Sequence, residues 1–256
     1  MADLTAYSLE FSDDFRGPEL DRGRWLPSYL PHWSSRRAAA ANVETGPNGL
    51  VLSIGPNQPP WLPKIDGPLR VSSIQTGAFA GPLGSAIGQH RFNPRLVVKE
   101  AQPTERLYVP LHGRFEMRAR VDLHPGQLAA LWMIGFEDEP ERSGEITIME
   151  IFGDSVDATS AELGRGIKAI NDPSLVTEFS APRLPFSPAG FHVYAADWDP
   201  TGVSFYLDEQ LLTRVKQSPA YPMQFMLNVY ELTPRDAPPP RLEVDWFRGY
   251  RHKAAA

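Results

Sequence analysis

From Arg114 to Val121 the chain alternates without a break: Phe115, Met117, Ala119 and Val121 fall on one parity, Arg114, Glu116, Arg118 and Arg120 on the other. A period of two places one set of side chains in a core and the other in water only if the segment is a strand. Shorter β-rich runs recur at 50–54, 70–76, 128–136, 145–152, 191–198, 203–207, 223–229 and 242–250, separated by clusters such as Pro59-Pro60, Gly81-Pro82 and Pro238 to Pro240. The 26 prolines and 20 glycines act as loop punctuation, and no long helical periodicity competes with the strands. The expected fold is all-β, two antiparallel sheets packed face to face. Asp199-Pro-Thr-Gly202 has the chemistry of a tight turn and predicts a hairpin between its flanking runs. No fixed-period repeat points to a propeller or solenoid.

A chain of 256 residues without a linker is expected to form a single domain over 1–256, with 252–256 set aside as a tail. The net charge of -6 and the scattered basic residues argue against a nucleic-acid partner. The absence of cysteine excludes disulfides, thiolate metal sites and cysteine nucleophiles. No stretch is apolar for long enough to span a bilayer as a helix, so no membrane partner is expected, and a monomer is the expected state. The start MADLTAYSLEF has no leader pattern. The protein is then expected in the cytoplasm if that start is native and outside the cell if a leader has been removed. The six histidines show no metal spacing, and Gly153-Asp-Ser155 reads as a turn rather than a serine-hydrolase signature.

The run that carries chemistry is Gly144-Glu-Ile-Thr-Ile-Met-Glu-Ile-Phe-Gly153. Strict alternation from Glu145 would put Thr147 on its face but turn Glu150 into the core with Ile146 and Ile148, where an unpaired carboxylate is costly. A β-bulge near Ile148 and Met149 removes the conflict and returns Glu150 to the face of Glu145 and Thr147. The two glutamates then lie roughly 13 Å apart along the backbone, at about 3.3 Å per residue. Leaning side chains on a concave sheet can narrow that towards the about 5–5.5 Å used by retaining glycosidases. An isolated pair at this spacing would more simply be a solvated strand face.

The surroundings of the pair are not isolated. Glu145, Thr147 and Glu150 resemble the bulged Glu-x-Asp-x-x-Glu strand of glycoside hydrolase family 16, the laminarinase and lichenase family. Phe11-Ser-Asp-Asp-Phe15 with Leu20-Asp21 and Trp25, His112 to Arg120, Ala130-Leu-Trp-Met133, Phe191-His-Val-Tyr194 with Trp198, Phe205 to Asp208 and Pro222 to Asn228 follow in that family's order. The resemblance covers most of the chain and implies a jelly-roll sandwich with a concave cleft, a β-linked polysaccharide or oligosaccharide substrate and an endo-β-1,3-glucanase-like activity by double displacement, with transglycosylation as a variant. It makes Glu145 the nucleophile and Glu150 the acid and base, with no catalytic cofactor. Thr147 departs from the family's aspartate, and the lost negative charge implies a lower pKa for Glu150 than the family pattern gives. The alternative that this departure motivates is a carbohydrate-binding protein of the same fold with weak or no catalysis. A second departure is Gly164-Arg-Gly-Ile-Lys168, where many members carry a histidine near the leaving group. A third is Tyr29-Leu-Pro-His-Trp33 with Trp61, near the non-reducing-side subsites.

The same resemblance places Trp132 on the cleft floor. Trp33 and Trp61 either stack on sugars or anchor their loops. Asn228 and Tyr230 either hydrogen-bond sugar hydroxyls or, for the asparagine, form a turn. Asp14 and Asp245 are candidate ligands of a structural calcium between the first and last strands, or plain surface acids.

Overall fold

The alternating run becomes the central strand of one of two large sheets. The computed structural model describes residues 4–253, and among them the strands are β1 Tyr7–Asp13, β2 Asn42–Gly46, β3 Gly49–Ser53, β4 Arg70–Gln75, β5 Gly77–Ala78, β6 Glu105–Arg106, β7 Gly113–Asp122, β8 Gln127–Gly135, β9 Glu145–Phe152, β10 Ala161–Glu162, β11 Gly164–Lys168, β12 Glu178–Ser180, β13 Arg183–Leu184, β14 His192–Asp199, β15 Gly202–Leu207, β16 Gln210–Val215, β17 Met223–Glu231 and β18 Arg241–His252. One sheet has the order β16-β15-β14-β7-β18-β3-β2, with β1 added against the C-terminal half of β18. The other, the inner sheet, has the order β12-β11-β9-β8-β17-β4. Every pairing is antiparallel, and the turn at 199–202 joins β14 to β15 as expected, with Asp199 opposite Gly202. The fold is an all-β jelly-roll sandwich. Residues 254–256 of the tail set aside above lie outside the described residues, while His252 ends β18.

The space between the sheets is filled by the parities that alternation assigned to it. Phe115, Met117, Ala119 and Val121 of β7 meet Ala129, Leu131 and Met133 of β8 and Phe225, Leu227 and Val229 of β17, all buried in one apolar cluster. A fully buried side chain of this size contributes about 1.5–3 kcal/mol. The opposite parity of β7 is wet only in part. Arg114 and Glu116 are buried, bonded to each other at 2.7 Å, with the guanidinium 4.8 Å from the Tyr206 ring. The charged residues at that end of β7 are therefore shielded from water and satisfied by each other.

The far face of the inner sheet carries a second apolar cluster. Leu128, Ala130, Trp132 and Ile134 of β8 and Met226 and Tyr230 of β17 are covered there by Tyr29, Leu30, Trp33, Trp61 and Leu62 from the long loops. These loops roof the β8, β17 and β4 side of the concave face. The carboxylates of β9 lie beside that roof.

Candidate active site

The strand β9 holds its glutamates on one face because it contains the bulge that alternation required. Against β8, Met149 stands opposite Leu131 and Thr147 opposite Trp132, which leaves Ile148 without a partner. Against β11, Glu150 faces Gly164 and Thr147 faces Gly166, so the same extra residue is seen from both neighbours. Ile148 and Met149 are consecutive and both lie in the core between the sheets. The chain thus spends one residue to turn Glu150 back to the side of Glu145. The glycines opposite allow close approach, Gly164 to Glu150 and Gly166 to the backbone of β12. A Cβ on Gly164 would come within 3.0 Å of the Glu150 Cβ, and one on Gly166, whose φ is +143°, would meet the Glu178 carbonyl oxygen at 2.2 Å.

Two side chains lock the pair. Thr147 Oγ1 donates to Glu145 Oε1 at 2.6 Å. Lys168 stands opposite Glu145 in register, and its Nζ reaches Glu145 Oε1 at 2.9 Å and Glu150 Oε2 at 3.2 Å. Two oxygens held by one nitrogen at 2.9 and 3.2 Å are no more than about 6 Å apart. For these two oxygens that bound accommodates the about 5–5.5 Å between the carboxyls of retaining glycosidases. The ammonium also lies 4.6 Å from the Phe179 ring, a cation–π contact that fixes its stem.

The electrostatics separate the two carboxyls. Burial pushes Glu150 above the usual carboxylate range, Glu145 adds to the rise, and Lys168 opposes it by charge and hydrogen bond. Burial alone would lower Lys168, but the two carboxylates outweigh it and hold it above its ordinary value, so it stays cationic. Thr147 contributes a hydroxyl without a second negative charge, and Lys168 balances Glu145. Substituting Lys168 by Met is therefore expected to move the basic limb of the pH–rate profile upward, because Glu150 loses the cation that lowers its pKa. The maximum rate is expected to fall about tenfold as Glu145 loses one of its two anchors. A pH–rate profile of the variant checks both.

The glutamates, Lys168, Trp132, Tyr230, Tyr29, His90, Leu128 and Ala130 surround a cavity of about 130 Å³. A larger depression of about 700 Å³, bordered by Glu19, Arg36 and Glu44, holds neither glutamate. Trp132 takes the floor position, its Nε1 donating to Asn228 Oδ1. Tyr230 stands against Tyr29, and burial, the neighbouring phenol and both glutamates push its hydroxyl far above the usual range, so it is a neutral donor. Asn228 is fully buried behind Trp132 and does not border the cavity. Trp33 is also fully buried, donating from Nε1 to the Gln89 carbonyl at 2.8 Å, and Trp61 packs on Tyr29. The structure gives these two tryptophans the loop-anchoring role and keeps them off the cavity. Asp14 is exposed, and both oxygens of Asp245 accept from guanidiniums, one from Arg16 and the other from Arg118 at 2.6 Å. That pairing does not fit a calcium ligand, and among the described residues no three His, Cys, Asp or Glu side chains are grouped for a metal.

Lys168 and Tyr29 fell within segments noted as departures but were given no role of their own, and His90 was not singled out from sequence. Lys168 lies opposite Glu145 on β11, whose two glycines hide the strand in the sequence. His90 offered no signal, since it lies in an irregular loop at a φ of +53°. Its backbone N–H donates to Glu137 Oε1 at 2.6 Å, and burial pushes that carboxyl up to about 8. Glu137 is protonated in the folded state and ionised in the unfolded state between its ordinary pKa of 4.5 and about 8, so the folded protein binds more protons and stability falls as pH rises through that window. Glu137→Gln is expected to leave stability at pH 5 nearly unchanged and to raise it by several kcal/mol at pH 9, read by urea denaturation at both values.

Residues 105–248 match the model of the glycosyl hydrolases family 16. The chain is 35% identical over 217 residues to a glucan endo-1,3-β-glucosidase of Cryptopygus antarcticus, a match covering 80% of this chain and 68% of that protein. It is 33% identical over 109 residues to a β-glucanase of Rhodothermus marinus, covering 40% of this chain and 37% of the other. Among solved structures, a GlcNAcα1-4Gal-releasing endo-β-galactosidase from Clostridium perfringens superimposes with a TM-score of 0.84 at 30% identity, over 97% of this chain and 63% of that one. The chain thus spans less than two thirds of two of these relatives.

Proposed function

The chain belongs to glycosyl hydrolase family 16, and from that premise we propose that it is an endo-acting retaining glycosidase that cleaves a β-linked polysaccharide, with Glu145 as nucleophile and Glu150 as acid and then base. The observation that carries this reading is the single Lys168 nitrogen touching both carboxyls, so that one oxygen of each lies no more than about 6 Å from one of the other, as a double displacement needs. Glu145 attacks the anomeric carbon while Glu150, whose pKa burial raises, delivers its proton to the leaving oxygen. The C–O bond to the leaving sugar breaks as the bond to Glu145 forms. Water then loses a proton to Glu150 and attacks the same carbon, releasing Glu145.

Two substrate classes have support. The Cryptopygus relative favours a β-1,3-glucan, and the structural match to the Clostridium enzyme favours a β-galactoside. Incubation with laminarin, mixed-linkage glucan and galactans, followed by reducing ends, separates them. Release of reducing sugar from one class supports the reading. Tight binding to one of these glycans with no products from any would overturn it in favour of a binding protein of the same fold.

A further inference from the structure

Each carboxyl of the pair is held by one oxygen and open at the other. Glu145 Oε1 accepts from Thr147 Oγ1 at 2.6 Å and lies 2.9 Å from Lys168 Nζ, while Glu150 Oε2 accepts from the same Nζ at 3.2 Å. Glu145 Oε2 and Glu150 Oε1 have no hydrogen-bond partner among the described residues. The held oxygens orient the two groups. The open ones are left for chemistry, Oε2 of Glu145 for the anomeric carbon and Oε1 of Glu150 for the proton that goes to the leaving oxygen.

Lys168 is the only cationic side chain among the described residues that border the cavity. From the loop side His90 faces it, and burial pushes that imidazole below its ordinary value, so it is neutral. Tyr29 from the roof and Tyr230 from β17 are neutral phenols, each raised by burial. The strand β8 brings Leu128, Ala130 and Trp132, none of which titrates. On β12 the exposed Glu178 is engaged elsewhere, 3.3 Å from Gln217 Nε2. Two carboxyls and one ammonium therefore set the charge of the site. The ammonium is also fixed, by its register opposite Glu145 and by the Phe179 ring at 4.6 Å, with the side chain only 27% exposed.

We propose that Lys168 is the counter-ion of both chemical steps, a positioning residue that pairs with Glu145 in the free enzyme and passes to Glu150 when Glu145 becomes an ester. The inference rests on the retaining-glycosidase reading. Before the reaction Glu145 is a carboxylate and Glu150 carries its proton, so the three groups sum to zero charge. Attack by Glu145 Oε2 forms the ester bond, and the electron pair of the breaking glycosidic bond stays on the leaving oxygen, which takes the Glu150 proton. Glu145 is now neutral and Glu150 a carboxylate, and the sum is again zero. In the second step water gives a proton to Glu150 and its oxygen to the anomeric carbon, and the ester electron pair returns to Glu145. A half-buried ammonium between the two thus has an anion at each stage without moving, which avoids the cost of an unpaired charge. The directions agree: burial and the Glu145 charge raise the Glu150 carboxyl and Lys168 lowers it, so esterifying Glu145 removes a raising contact and leaves the lowering one.

Glu145→Gln reproduces the charge loss at Glu145 without any substrate. The test titrates the carboxyl carbon of Glu150 by NMR, assigned by its absence from Glu150→Gln, in the wild type, Glu145→Gln, Lys168→Met and the double variant. Glu145→Gln is expected to lower the midpoint of Glu150 by at least about one pH unit, and by less than half as much when Lys168→Met is also present. Lys168→Arg, which keeps a cation, should preserve most of the drop, and Lys168→Gln replaces the methionine variant if that one does not fold. Equal drops with and without the lysine, or no drop at all, overturn the hand-over. In the active protein the acid limb of the deglycosylation step should move up by about one pH unit in Lys168→Met, because Glu150 must lose its proton to act as base. Packing damage alone would slow both steps and leave that limb in place, which would also overturn the proposal. The titration needs no turnover, so the two readings fail separately. A protein that cleaves no glycan refutes the glycosidase reading and with it the two steps, while unequal drops still establish the exchange of partners.

Discussion

Glu145→Gln is expected to reduce turnover of the cleaved polysaccharide by on the order of 10⁴-fold or more, with the circular dichroism spectrum and the affinity for oligosaccharide nearly unchanged. The amide has the size of the carboxyl and still accepts the Thr147 hydroxyl, which bonds the nucleophile at 2.6 Å. What it loses is the negative charge that attacks the anomeric carbon. Lys168 keeps Glu150 as a partner at 3.2 Å, so the variant does not strand a buried cation. Steady-state kinetics checks the loss of turnover, and titration with an oligosaccharide checks that binding survives. Loss of binding together with turnover would mean that Glu145 mainly shapes the cavity.

Glu150→Gln is expected to split by leaving group. On a polysaccharide, whose leaving alcohol needs a proton, kcat should fall about 10²–10⁴-fold. On a 4-nitrophenyl glycoside, which leaves as a stable phenolate, formation of the glycosyl-enzyme should stay near the wild-type rate. The second step then lacks its base, so the intermediate should accumulate as a burst of nitrophenolate. Azide, which attacks without losing a proton, should relieve the stall. Stopped-flow absorbance reads the burst, and equal losses on both substrates would remove the acid role from Glu150. Burial favours the protonated form of this carboxyl, against the pull of Lys168.

Most of the sheet framework was legible because the strands are half-buried and alternate. The runs at 114–121 and 145–152 correspond to β7 and β9, and the Asp-Pro-Thr-Gly turn to the β14–β15 hairpin. The strand β11 was hidden by its own function. Gly164 leaves room for Glu150 and Gly166 for the backbone of β12, and two glycines in five residues erase the β signal that would have placed Lys168 beside the pair. β1 and β16 carry many half-exposed or exposed positions and show no clean parity. The bulge could be inferred from one conflict, a carboxylate aimed at a core, which is a cost no local propensity offsets. The roles of Trp33 and Asn228 could not, because whether an aromatic or an amide in a loop-covered region meets solvent depends on how distant loops pack over the inner sheet. His90 and Glu137 were illegible for the same reason: each belongs to an irregular segment, and their meeting at 2.6 Å is a property of the loop path.

Double displacement requires one covalent bond, that between Glu145 and the substrate's anomeric carbon. An activated 2-deoxy-2-fluoro glycoside of the cleaved sugar slows both steps by destabilising the oxocarbenium-like transition state, and its good leaving group restores the first, so the intermediate persists. Peptide mapping by mass spectrometry then locates it. Arg142 and Arg165 bound a peptide that contains both glutamates, so fragmentation must place the added mass within it. The expected result is one fluoroglycosyl group on Glu145. A label on Glu150 or elsewhere, or turnover with inversion and no label, would contradict the assignment.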